Sequence, residues 1–223
     1  MAPLRFNVFK QAHKGLRLLL NDTIQAIQQT DFSIPAEGNA CIATIKTTLQ
    51  LFHVHAGLED QDIFPMVSQI APAVVAHFEK EHEKDEALIM NLHKNFEQYE
   101  LADSPAALLV AGNTLLHEFI AFTVFNLEHM SQEECLLNPF LWSQYTDDEI
   151  LAVATAAVKK IPPAKNELFI PWMLKGNSDK EVAQWLQRVK ESAPAPVYER
   201  LYTTAVQILE GSRMQHITAV MEG

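Results

Sequence analysis

The sequence predicts an all-α protein: an up-down four-helix bundle followed by an extension of short helices. Apolar residues recur at spacings of three and four along four long stretches, which is the signature of helices with one buried face. The pattern H-x-x-x-E-x-x-x-[IL]-x-P occurs twice, from His55 to Pro65 and from His129 to Pro139. Loop-forming clusters separate the stretches, and proline or a serine cap stands where the third and fourth should begin.

At 223 residues, 48% of them hydrophobic, the chain can bury one core or one core plus an appendage. A net charge of -11 argues against a nucleic-acid or anionic-membrane partner, since phosphates attract basic faces. No unbroken apolar run reaches the roughly 18 residues that span a bilayer. The first residues, Met1 to Asn7, lack a basic segment followed by an apolar one, so no secretory signal is read and the cytoplasm is the expected compartment. Cys41 and Cys135 are too few for a disulfide framework and are expected as small buried side chains.

The first segment runs from about Leu4 to Gln29, with Phe6, Phe9, His13, Leu16, Leu20, Ile24 and Ile27 in one stripe. Asp31 to Gly38 reads as a loop. The second runs from about Asn39 to Phe64, with Ile42, Ile45, Leu49, Phe52, His55, Glu59 and Ile63 inward, His53 outward, and Asp60 and Asp62 solvated. The third runs from Pro72 to about Glu100. Val75, Phe78, His82, Ile89, His93 and Phe96 form its seam, which Asp85 and Glu86 interrupt, and His77 lies outside it. Asp103, Ser104 and Pro105 introduce the fourth, whose inner side carries Leu108, Leu115, Phe119, Phe122, Phe125, His129, Glu133 and Leu136, with His117 peripheral.

A histidine four residues before a carboxylate places both side chains on one helix face, roughly 6 Å apart at Cβ, as a two-point claw for a metal ion. The proline at the end of each repeat is expected to stop its helix. In an up-down bundle, His13 and His82 fall about ten residues after their helix starts, roughly 15 Å along the axis. The claws fall roughly 9 to 15 Å from the same end, so all six groups share one level. Buried carboxylates are costly unless paired or coordinating, and four imidazoles with two carboxylates suit borderline transition metals better than magnesium or calcium. Glu59 and Glu133 can bridge two ions roughly 3.5 Å apart. Six groups leave positions open for a small ligand such as dioxygen, peroxide or nitric oxide.

Residues 1 to 141 resemble the hemerythrin-like, or HHE cation-binding, family. The likeness rests on His13, His55 with Glu59, the Glu81-His82 pair, His129 with Glu133, and Ile63-Phe64-Pro65. It implies a four-helix bundle holding an oxo- or hydroxo-bridged di-iron centre, with zinc or manganese as other possible metals. His13, His55, His82 and His129 would be terminal ligands, and Glu59 and Glu133 bridges. Oxygen carriers of the family place a second histidine four residues after the first on the third helix, where this chain has Glu86. Glu86 is either a seventh ligand or a solvent-facing residue. The change weakens the case for reversible oxygen carriage and leaves sensing or handling of peroxide, nitric oxide or iron.

The extension, residues 142 to 223, opens with the Thr146 to Glu149 capping signature and a helix through Lys160. Further stretches run over Ala164 to Leu174, Asp179 to Glu191 and Pro196 to Glu210, with Trp142, Trp172 and Trp185 as packing anchors. His216 is expected exposed, and covering the bundle or forming a homodimer contact is the expected role of the extension. The expected function is a non-haem di-iron protein that senses, binds or handles a small ligand or iron itself. The alternative is a di-metal enzyme, an oxidase or peroxidase, or a hydrolase if zinc or manganese is bound.

Overall fold

The computed structural model describes residues 5–222, which form helices joined by short turns, with no strand among them. The helices are α1 (Lys10–Gln29), α2 (Pro35–Leu58), α3 (Phe64–Ser68), α4 (Pro72–Leu101), α5 (Pro105–Gln144), α6 (Asp147–Lys160), α7 (Pro163–Gly176), α8 (Asp179–Ser192), α9 (Ala195–Ile208) and α10 (Gly211–Glu222). A five-residue π turn, Glu59–Ile63, joins α2 to α3. The chain divides into two compact units. One takes the residues up to Phe9 with Leu19–Ile161, the other Lys10–Leu18 with the residues from Pro162 onward.

In the first unit, α4 packs along α5, burying Phe78, Leu92 and Phe96 from one helix and Leu115, Phe119 and Phe122 from the other. The serine cap holds, since Ser104 Oγ accepts from the Ala107 amide. Phe9, Ile63, Phe64, Val67, Val75, Phe78, Leu137, Leu141 and Ile150 form a core cluster around the π turn. The Thr146 capping box opens α6 as expected.

The structure corrects several expectations. The expected start of the first helix at Leu4 lies outside the described residues, and α1 begins only at Lys10. The segment before it is tied elsewhere: Asn7 Oδ1 accepts the Phe9 amide, Asp147 takes the Phe6 amide, and the Phe6 carbonyl accepts from Trp142 Nε1. His13 therefore sits in the first turn of α1, not ten residues in. Pro35 opens α2 as a first-turn residue, so the supposed loop is shorter. Neither repeat proline stops its helix. Pro65 lies in the first turn of α3, where a missing N–H costs least, and Pro139 sits within α5 on its exposed side, where water can serve the Cys135 carbonyl left without a donor. Cys135, Leu136 and His93 are exposed, not inward. Leu137, four residues after Glu133, takes the buried place expected of Leu136. Counting unbroken runs also understated α5, which is long and apolar enough by composition to cross a membrane.

Gly38 shows how tightly α2 meets α4. A Cβ there would fall 1.9 Å from the Tyr99 hydroxyl oxygen, and that hydroxyl donates to the Phe32 carbonyl at 2.9 Å. Gly38→Ala must displace the ring and its buried bond, at an expected cost of about 2–3 kcal/mol. Thermal melting followed by circular dichroism should fall by roughly 4–12 °C. An unchanged midpoint would mean that Tyr99 moves aside freely.

The second unit buries Leu174, Val182, Leu186, Leu201, Ala205 and Ile217. A capping box of Ser178 and Glu181 opens α8, and Lys14 Nζ donates to Glu181 at 2.6 Å. Burial opposes ionisation of Glu181, but Lys10, Lys14 and Ser178 together hold its carboxyl well below the usual range. Glycine at position 211 starts α10, a helix beyond the stretches expected from the sequence, which end at Glu210.

Candidate metal centre

Within the first unit, four elements bring polar groups into an apolar interior. The last turn of α2 supplies His55, the π turn Glu59, α4 His82, and α5 His129 with Glu133. Glu59, His82, His129 and Glu133 are all buried, and each offers one ligand atom within 4.8 Å of the others. The claws close as their spacing requires: His55 Nε2 lies 3.1 Å from Glu59 Oε1, and His129 Nε2 lies 3.2 Å from Glu133 Oε1. His82 Nε2 lies between the carboxylates, 3.7 Å from Glu59 Oε2 and 3.9 Å from Glu133 Oε1. His13 is wholly buried on α1.

Each of two imidazoles is held from behind. His82 Nδ1 meets Asp60 Oδ1 at 2.8 Å, and His129 Nδ1 meets Glu81 Oε2 at 2.8 Å. Outer carboxylates of this kind fix ring orientation and raise the basicity of the opposite nitrogen. Phe64 stacks on the His82 ring at 5.2 Å, and Phe125 on the His129 ring at 5.8 Å. The two rings consequently point their Nε2 atoms at each other, 3.1 Å apart.

This arrangement tests whether the residues fit a metal. An imidazole that donates through Nδ1 presents a lone pair at Nε2, and two lone pairs at 3.1 Å repel unless a proton or cation lies between them. Glu59 and Glu133 add negative charge at the same point. Burial alone would push the His129 imidazole down, but Glu133, Glu81 and Glu59 outweigh it and carry it up to about 10. The cluster draws positive charge, a proton when no metal is bound, so a cation fits it.

Asp60 is exposed, as expected, yet also meets His82, whereas Asp62, expected to be solvated, is mostly covered and paired. The π turn inserts one residue per turn, which swings Asp60 toward His82 and Asp62 toward Lys160, with which it forms an ion pair. A π turn has no signature in the apolar periodicity, so spacing alone could not find it. Glu86 is exposed, which settles its alternatives in favour of solvent. Its neighbour Asp85 is buried instead and accepts from Asn126 Nδ2 at 2.6 Å. Burial pushes the Asp85 carboxyl up, with the Asn126 bond opposing it. His53, His77, His117 and His216 are exposed, as expected.

A family model described as the hemerythrin HHE cation binding domain matches residues 5–141. No curated protein and no solved structure matches the chain.

Proposed function

The chain belongs to the hemerythrin HHE cation-binding domain family, and from that premise we propose that it is a non-haem di-iron protein that binds or senses a small ligand. The observation that carries this reading is the facing pair of Nε2 atoms at 3.1 Å, each ring backed by a carboxylate on its other nitrogen. Side chains held so firmly, with their lone pairs aimed at one buried point, are arranged for coordination and for little else.

In this reading residues 1–141 form an up-down four-helix bundle that holds the metals. His55, Glu59, His82, His129 and Glu133 would hold the metals within the first unit. His13 stays a ligand candidate from the sequence pattern alone, and it is completely buried on α1. Iron, when bound, supplies a redox-active Lewis acid with positions open to a small ligand.

The chain's own residues set what may enter. A cavity of about 10 Å³ adjoins the site, lined by Phe52, Ala56 and Met130 among others. That is little room, which favours a ligand of no more than a few heavy atoms and weighs against an organic substrate.

Protein purified under air tests the proposal. Metal analysis should find about two irons per chain, and an oxidised iron pair should absorb in the near ultraviolet. A colourless protein carrying zinc overturns the choice of iron, and a chain that retains no metal overturns the proposal itself. Anaerobic reduction followed by oxygen then separates a spectrum that cycles, as for a reversible binder, from one that bleaches once.

A further inference from the structure

Two polar residues line the cavity beside the candidate ligands without belonging to either ligand group: Asp85 and Asn126. Asp85 is 6% exposed and Asn126 3%, so both are placed where polar groups are expensive unless they bond. Asn126 Nδ2 donates to Asp85 Oδ1 at 2.6 Å and to the Phe122 carbonyl at 3.1 Å. A backbone carbonyl can only accept, which fixes the orientation of the amide. Both amide hydrogens are thereby spent. The atoms these two residues have left to offer are oxygens, Asn126 Oδ1 and the second carboxyl oxygen of Asp85.

The rest of the wall, Phe52, Ala56 and Met130, brings no competing side-chain donor. A ligand entering here meets the histidines and glutamates on one side and acceptor oxygens on the other. We propose that Asp85, fixed by Asn126, is a specificity residue for the exogenous ligand. It selects a hydrogen-bearing ligand of hydrogen peroxide type, whose O–H it accepts, over acceptor-only ligands of similar size such as azide. The inference rests on the metal-binding reading above and adds which small ligand that site prefers.

Asp85→Asn tests it with little change of shape. The new amide oxygen still accepts from Asn126, while its nitrogen puts a donor where an acceptor stood. Hydrogen peroxide and azide are titrated separately into the iron-loaded full chain and followed by absorption. The ratio of azide to peroxide affinity should rise about tenfold or more in the variant, with iron content unchanged. Asp85→Leu, which removes the acceptor and leaves one Asn126 amide hydrogen free to donate, should raise the same ratio, and it serves if the first variant folds poorly. A ratio that stays constant, including parallel changes in both affinities, overturns the inference. So does loss of iron from Asp85→Asn, which would place Asp85 among the groups that hold the metal. Absence of iron from the unaltered chain is a different result, and it removes the reading beneath.

Discussion

Glu59→Ala and His129→Ala should each lower bound iron from about two per chain to one or none. Glu59 lies within 3.7 Å of imidazole nitrogens on two helices, so its loss removes the charge between His55 and His82 together. His129 is the partner of Glu133 and the ring that faces His82. The outer carboxylates give an intermediate class: Asp60→Asn and Glu81→Gln should weaken iron binding roughly 10- to 100-fold while leaving a site that fills at high iron. His53→Ala and His117→Ala, at exposed positions, should leave iron content unchanged. Colorimetric iron analysis after gel filtration reads all three classes, with circular dichroism confirming that each variant folds. Equal loss across them would mean that iron sits elsewhere.

That ranking exposes what periodicity can reach. The burial of the six candidates was legible from their places on apolar stripes, and all six are buried or nearly so. The starts of α4, α5 and α6 were legible from Pro72, Ser104 and Thr146, whose side chains act locally on the backbone. The residues behind the histidines were not: Glu81, noted only as the sequence neighbour of His82, backs His129 on another helix. Asp60 follows Glu59 in what reads as a charged turn, and only the π turn, a feature of tertiary fit, rotates it onto His82. Asp85 was read as breaking the seam because a carboxylate is a poor core residue. Its burial depends on Asn126, a residue 41 positions away on another helix, which no local rule could pair with it. Pro65 and Pro139 misled for the complementary reason. Proline removes one donor, and whether that ends a helix depends on where the bereft carbonyl faces.

Removing the metal should lower the melting temperature, and the gap should widen as pH rises. At a free metal concentration about 1,000 times the dissociation constant, binding contributes about 4 kcal/mol, or roughly 8–16 °C for a chain of this size. The pH dependence comes from His129. Burial works against its charged form, yet Glu133, Glu81 and Glu59 raise it to about 10 in the metal-free protein. A raised value means that the proton stabilises the metal-free fold fully below the unfolded value of about 6.5, and that this contribution is lost as pH climbs through about 10. Metal must expel the same proton, so its apparent affinity climbs over the same window by up to tenfold per pH unit. The two are one linkage seen from either side, and the difference in stability should grow by about 1.4 kcal/mol per pH unit between pH 7 and 9. Glu133→Gln removes the carboxylate that does most to hold the proton and also deletes a metal-holding group, so it should shrink the gap and flatten its pH dependence together. A gap that keeps its size and slope in that variant would separate the proton from the metal and place the cation away from His129.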